Sequence, residues 1–386
     1  MIKEPMAKQE KIKRTEKLTV MFHERTVGTL SLTPDNRLNI FEYDKSWLVD
    51  GFSISPIELP LQSGIFVAKS NPFYGNFGVF EDSLPDGYGR YLLHKTLLRH
   101  GINDYDLSSL DRLALVGENG MGALTYSPSI NFEPEETSTD FDQLQKIALE
   151  VLEEKQDKDA GLLLFNSSNS GGARPKAVFS DDEGHWLVKF RHTYDPKEIG
   201  SLEAQYNAVA RKCGIIIPDF KLINGRYFAS RRFDIDTDGN RIHTCTAGGL
   251  ICISLNEPFL DYTNLLALTG FITQSSEDVE QMYRRMIFNY LTENKDDHCK
   301  NFSFYVLRDN ESERWRWRLA PAYDLTLCSE GYNGEHATSV NGTGHPRISD
   351  FIEVGKKIKL SENRCLAIIE EVYAGCKDLN RYDLRK

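Results

Sequence analysis

From Leu18 to about Tyr126 the pattern of apolar and polar positions reads as short strands and turns, with one helical stretch from Tyr88 to Arg99. Ser127 to Asp140 is polar and acidic and holds Pro128, Pro134, Glu135 and Glu136, a composition suited to a linker. A helix is expected from near Asp142 to Lys155. Ser168 to Gly172 is a loop of small residues, followed by Ala177-Val-Phe-Ser, an Asp-Asp-Glu-Gly turn and Trp186 to Phe190, which predicts strand, tight turn, strand. In the second strand Trp186, Val188 and Phe190 alternate with Leu187 and Lys189, so Lys189 points to the opposite face. Ser201 to Cys213 has helical composition and stops at Gly214. Asp219 to Ile223, Asn224-Gly225 and Arg226 to Phe233 make the strongest hairpin signal in the chain. From Leu255 onward helical patterns dominate. Met282, Met286, Ile287, Tyr290 and Leu291 recur at helical spacing until Thr292-Glu-Asn interrupts them. The order is a strand-rich lobe containing one helix, then a helical lobe.

Composition narrows the setting. A chain of 386 residues is long enough for two or three cores, and 40% hydrophobic with 27% charged residues describes an ordinary soluble protein. No apolar run is long enough to span a bilayer. Met1 to Val20 is rich in Lys and lacks the apolar stretch of a secretion signal, so it reads as a loose, solvated tail of a cytoplasmic chain. A net charge of −11 argues against a surface that grips nucleic acid by itself, while leaving room for a basic partner that does. The seven cysteines are odd in number and form no C-x-x-C pair, which suits reduced, structural thiols.

The densest polar cluster is Asp296-Asp297-His298-Cys299-Lys300-Asn301. It follows a helix and precedes a strand, Phe302 to Leu307. A polar turn, Asp309 to Glu313, leads to a second strand, Trp315 to Leu319, and then to Ala320-Pro-Ala-Tyr-Asp-Leu325. A hairpin between Asn301 and Asp324 returns the chain to its starting point, which gathers Asp296, Asn301 and Asp324. Phosphoryl transfer needs such a point: one carboxylate orients the attacking hydroxyl, while a second carboxylate and an amide oxygen hold Mg²⁺ against the phosphates. Kinases separate the catalytic Asp from the metal-binding Asn by five positions, as Asp296 and Asn301 are separated. The competing reading is a polar surface loop that caps a helix.

These residues also carry a resemblance. Asp296-Asp-His-Cys-Lys-Asn-Phe-Ser-Phe304 and Pro321-Ala-Tyr-Asp-Leu325 resemble the catalytic and metal-binding motifs of HipA-type kinases, the toxins of bacterial toxin–antitoxin pairs. Gly171-Gly-Ala-Arg-Pro-Lys176 resembles that family's phosphate-binding loop. Phe41-Glu-Tyr-Asp44, Leu84-Pro-Asp-Gly87 and Gly122-Ala-Leu124 resemble stretches of its N-terminal region. The resemblance implies an α+β, two-lobed protein-kinase-like fold with an added N-terminal subdomain. Its expected parts are a tail (1–17), the subdomain (18–140) and a catalytic region (141–386), with a hinge near 231–234 and a helical lobe from about 250.

Carried over by position, Asp296 resembles the catalytic aspartate, and Asn301 and Asp324 the Mg²⁺ ligands. Lys189 resembles the lysine that pairs with the α- and β-phosphates of ATP, with Glu203 as a candidate partner on a helix. Gly171, Gly172 and Ala173 would offer backbone N–H groups to phosphate, with Arg174 and Lys176 adding charge. Arg231, Phe233 and Asp234 resemble the hinge beside the adenine and ribose. His298 would contact the γ-phosphate or hold the loop's shape, and Lys300 would add charge to the transferring group. The chain departs from the family where several relatives carry a self-phosphorylated serine: Asn169 stands there, flanked by Ser167, Ser168 and Ser170, so self-phosphorylation is expected to move to Ser168 or Ser170.

The expected protein is a serine/threonine protein kinase and growth-arresting toxin. A HipB-type antitoxin would neutralise it, and DNA would be reached only through that partner. A small-molecule kinase and a catalytically silent module of a DNA-bound complex are the alternatives. A metal-dependent hydrolase fits poorly, since no H-E-x-x-H ligand set appears.

Overall fold

The computed structural model describes residues 14–130, 140–167, 172–255, 260–309 and 312–382. The chain divides into two units, Met1–Phe52 with Leu61–Lys197, and Ser53–Pro60 with Glu198–Lys386.

In the first unit, strands β1 (Lys17–Phe22), β2 (Arg25–Leu32), β3 (Asn39–Tyr43), β4 (Ile65–Val67) and β5 (Leu124–Ser127) build an antiparallel sheet in the order β4-β3-β2-β1-β5. The period of two along each strand turns Leu18, Val20, Phe22, Leu30, Phe41 and Tyr43 into its core. The tail expected over Met1 to Val20 is therefore not loose at its end. Leu18 and Val20 are fully buried, and the Thr15 N–H donates to Asp111 Oδ1 at 2.7 Å. The reason is the alternation itself, which makes Leu18 and Val20 part of the sheet. Residues 1–13 lie outside the described residues, as do 131–139 of the expected linker.

The longer helices of the first unit are α1 (Gly87–Arg99), α2 (Ser109–Val116), α3 (Phe141–Leu152) and α4 (Ala160–Ser167). Ser108 and Asp111 close a capping box at the start of α2, satisfying two otherwise orphaned N–H groups. The hairpin β6 (Lys176–Asp181) and β7 (Gly184–Lys189) follows the sequence expectation: Trp186, Val188 and Phe190 are buried, and Lys189 takes the other face.

The second unit starts with α5 (Ile199–Lys212), then β8 (Phe220–Ile223) and β9 (Tyr227–Arg231). Asn224 and Gly225 join these strands at φ +51° and +69°, the paired left-handed residues a tight hairpin requires. After β10 (Thr244–Thr246) come β11 (Leu260–Asp261), α6 (Tyr262–Thr273) and α7 (Ser276–Thr292). Next are β12 (Ser303–Arg308), β13 (Trp315–Leu319), β14 (Thr338–Ser339), α8 (Ile348–Lys357) and α9 (Glu362–Gly375). Strands β10, β12 and β13 form one sheet in that order, and β11 pairs in parallel with β14. Helix α7 runs through the core. Met282, Tyr283, Met286, Ile287, Phe288, Tyr290 and Leu291 cover more than one of its faces and are all fully buried, which explains its mixed apolar pattern.

Residues Ser53–Pro60 join this second unit through His243, whose Nε2 lies 2.8 Å from the Ile54 carbonyl. Burial pushes the His243 imidazole from its ordinary 6.5 down to about 4. A depressed value means that the unfolded chain takes up a proton before the folded one does. The stabilising contribution is complete above about pH 6.5 and is lost as pH falls towards 4, amounting to about 3 kcal/mol. Urea unfolding measured between pH 7 and 4 is expected to show this loss, and His243→Gln is expected to flatten the slope in that window.

Candidate active site

Helix α7 stops at Glu293, which takes a left-handed φ of +53° and turns the chain into the polar loop. Cys328 clamps the turn: its N–H donates to the Glu293 carbonyl at 3.0 Å, and its carbonyl accepts from the Lys295 N–H at 3.2 Å. Two neighbouring carboxylates then take opposite environments. The Asp296 side chain is 55% exposed, whereas that of Asp297 is fully enclosed. Asp297 Oδ2 accepts from the Tyr262 hydroxyl at 2.9 Å and lies 3.0 Å from His336 Nδ1, and Oδ1 accepts from the Thr338 N–H at 3.2 Å. The Thr338 hydroxyl donates to the Asp297 carbonyl. Asn294 donates to Asn289 at 3.0 Å, and Asn289 to the Tyr262 hydroxyl at 2.9 Å, so a chain of amides aims that hydroxyl at Asp297. Burial, and then the Asp297 charge, push the Tyr262 hydroxyl well above the usual phenol range, which keeps it a donor. The His336 ring stacks on Tyr290 with centroids 3.7 Å apart. Sequence reasoning passed over Asp297, since its partners lie 35 to 41 positions away.

The expected hairpin is present and closes where it should. Phe304 faces Leu319 in the β12–β13 register, and the Ala320 N–H donates to the Ser303 carbonyl at 2.9 Å. Arg285, fully buried in α7, donates to the Ala320 carbonyl at 2.6 Å, and burial pushes its guanidinium down to about 10. The Tyr323 hydroxyl lies 2.6 Å from the Lys300 carbonyl and 2.5 Å from Ser303 Oγ. Tyr323 precedes Asp324 and Lys300 precedes Asn301, so these bonds gather the two candidate ligands. Asn301 Nδ2 donates to the Asp296 carbonyl at 2.6 Å, which leaves Oδ1 as the outward atom of its amide. Asp324 sits at φ +54°, a sparsely populated conformation for a residue with a side chain. His298 Nε2 lies 3.7 Å from Asp296 Oδ1, while its Nδ1 is buried without a hydrogen-bond partner.

The first unit positions the other candidates. Lys176 and Lys189 are direct register partners in β6 and β7, so both side chains leave one face of the hairpin. The small-residue loop is tied to the start of α1: the Gly172 N–H donates to Asp86 Oδ1 at 2.6 Å, and its carbonyl accepts from the Tyr88 N–H at 3.1 Å. The Gly172 N–H, expected to face phosphate, is thus engaged by a carboxylate. Leu84-Pro-Asp-Gly87 gains a physical role as this tether. Gly87 takes φ +46°, and any side chain there would strike the Gly172 carbonyl. Arg174 makes a two-pronged pair with the buried Asp195, both bonds 2.9 Å. Ala173 is exposed, and Lys176 is buried. Gly171, with Ser168, Asn169 and Ser170, lies outside the described residues.

The hinge candidates belong to the second unit. The Arg231 N–H donates to the Asp219 carbonyl at 2.7 Å. Phe233 stacks on Tyr323 at 5.5 Å, bracing the residue beside Asp324. Asp234 is buried in a two-pronged pair with Arg232, at 2.7 and 3.0 Å. Glu203 is buried on α5.

A strand-rich first part, a helical second part and a hairpin presenting Asn301 and Asp324 beside the Asp296 loop define a kinase-like fold. The chain belongs to the HipA family. The model of the HipA-like C-terminal domain matches residues 168–379, and that of the HipA N-terminal domain matches 18–127. HipA in the Shewanella oneidensis MR-1 toxin–antitoxin complex of HipA, HipB and operator DNA is similar in structure. The TM-score is 0.69 at 17% identity, covering 94% of this chain and 90% of that one. The Sinorhizobium fredii protein named "Putative kinase Y4dM" is 24% identical, over 89% of this chain and 86% of its own. A Haemophilus influenzae protein named "Putative kinase" is 26% identical, over 47% of this chain and 62% of its own. No described helix is long and apolar enough to cross a membrane.

The enclosed carboxylate sets a stability prediction. Asp297→Ala leaves the Tyr262 hydroxyl and His336 without their acceptor, and is expected to lower the unfolding free energy by about 3–5 kcal/mol. Denaturant unfolding of the variant beside the parent measures it.

Proposed function

We propose that this protein is a HipA-type serine/threonine protein kinase that transfers the γ-phosphate of ATP to a protein hydroxyl. The observation that carries the reading is the closed β12–β13 hairpin, which returns Asp324 to Asn301 next to the exposed Asp296. Asp296 orients the acceptor hydroxyl and takes its proton. The acceptor oxygen bonds to the γ-phosphorus, the bond from that phosphorus to the β–γ bridging oxygen breaks, and ADP leaves.

The donor set of Asn301 and Asp324 fits Mg²⁺. Both are hard oxygen ligands, and the Asn301 amide already points its nitrogen at the Asp296 carbonyl and its oxygen away. When bound, the ion would neutralise charge on the phosphates. Lys176 and Lys189 leave one face of the β6–β7 hairpin, and in this reading that face meets the phosphates, as the family resemblance of Lys189 implies. Arg174 holds Asp195, so in this reading it shapes the loop's exit more than it contacts phosphate.

The partner reading rests on the family. The HipA of similar structure assembles with HipB and operator DNA, and we extend a HipB-type antitoxin to this chain. A net charge of −11 suits a basic, DNA-binding partner, so contact with DNA would run through that partner. Growth arrest on expression, relieved by such a partner, is the corresponding biological role.

Radiolabelled phosphate transferred from ATP to a cellular protein tests the activity. Asp296→Asn is expected to reduce turnover by about a hundredfold or more while nucleotide still binds. Transfer at the parental rate would remove Asp296 from the reaction. Asp324→Ala is expected to weaken Mg²⁺-dependent ATP binding far more than metal-free nucleotide binding. Calorimetric titrations with and without Mg²⁺ measure the difference.

A further inference from the structure

We infer that a pocket opening beside Asp296 seats an apolar side chain of the substrate polypeptide, one or two residues from the acceptor Ser or Thr; this rests on the protein-kinase reading of Asp296. The pocket has a volume of about 140 Å³ and lies wholly within the second unit. Its walls are mostly carbon, from Ile253, Leu255, Leu260, Cys299, Tyr332 and Ala337, and Asp296 itself lines it. Leu260 and Cys299 are buried and form a fixed floor, while Leu255 and Tyr332 are 38% and 50% exposed. Exposed apolar surface beside a candidate catalytic carboxylate is surface that a ligand would remove from water.

The chemistry of the walls selects the occupant. Lys295 lines the pocket, and its ammonium donates to the Ser329 and Gly334 carbonyls at 3.0 Å each, which holds it against the 329–334 turn. An anionic substituent would be repelled by the Asp296 carboxylate that lines the same small pocket. A cationic one would compete for the carboxylate that must orient the hydroxyl. An apolar group meets neither difficulty. The volume is close to that of an engineered cavity of about 150 Å³ that holds benzene, so one Leu, Ile, Met or Phe side chain fits. An extended chain advances about 3.3 Å per residue, so a side chain in a pocket shared with Asp296 belongs to a close neighbour of the acceptor. A polypeptide supplies a hydroxyl and an apolar side chain at this separation.

The test is phosphotransfer by the full-length protein with Mg²⁺-ATP onto a peptide library with one fixed Ser and degenerate flanks. The expected result is selection of Leu, Ile, Met or Phe over Asp and Lys by about tenfold or more, at one position within two residues of the Ser. Ala337→Phe fills the pocket and is expected to reduce that selection to about twofold or less. Tyr332→Ala, a change at an exposed side chain, enlarges the pocket and is expected to shift selection toward larger aromatic residues. Peptides labelled without any apolar preference near the Ser, in parent and variants alike, would overturn the pocket's role and leave the kinase reading standing. Labelling of small-molecule hydroxyls, with no peptide labelled, would overturn the protein-kinase reading and this inference together.

Discussion

The Asp297 carboxylate, enclosed in the second unit, accepts from Tyr262 and the Thr338 backbone and lies against His336, and the placement of its exposed neighbour Asp296 follows from those contacts. A carboxylate out of water is tolerable only when its oxygens are satisfied, so the loop has one arrangement in which Asp297 can be buried. That arrangement joins the start of α6, the loop and β14, which are far apart in sequence. The neighbouring Asp296 stays on the exposed side of the same loop. The Asn294–Asn289–Tyr262 chain extends the constraint back into α7.

A second set of constraints acts on the returning strand. Buried Arg285 holds the Ala320 carbonyl, Tyr323 bonds to the Lys300 carbonyl, and Phe233 stacks against Tyr323. Asp324 takes its left-handed backbone directly after Tyr323, which these contacts fix. The result is pre-organisation: the residues proposed to meet metal and hydroxyl are held by groups that need not touch either.

In the first unit, a carboxylate does comparable work on a loop rather than on a candidate catalytic residue. Asp86 holds the Gly172 N–H, and Gly87 permits the close approach because it has no side chain. Asp195 fixes Arg174, two residues beyond Gly172. Lys176 and Lys189 are paired across the following hairpin by strand register.

The sequence by itself determined the elements and much of the candidate site. Local signals are strong where one residue type answers one geometric demand: Asn224-Gly225 in the hairpin turn, the alternation that sets Lys189 opposite Trp186 and Val188, and the hairpin that returns Asp324 to Asn301. Those demands are met within one turn, one strand or one hairpin, so spacing reveals them. Only the tertiary structure decided the fate of charges. Asp297 and Asp296 are identical neighbours in sequence, yet one is enclosed and the other exposed, because Tyr262 and Thr338 arrive from elsewhere in the chain. The same holds for Arg174 paired with Asp195, for Asp234 paired with Arg232, for the Gly172 N–H taken by Asp86, and for the end of the expected tail, which becomes part of the interior strand β1. A polar side chain is compatible with water or with a buried partner, and nothing in its own neighbourhood states which. The desolvation of its charge, and the partner that offsets it, exist only once the chain has folded.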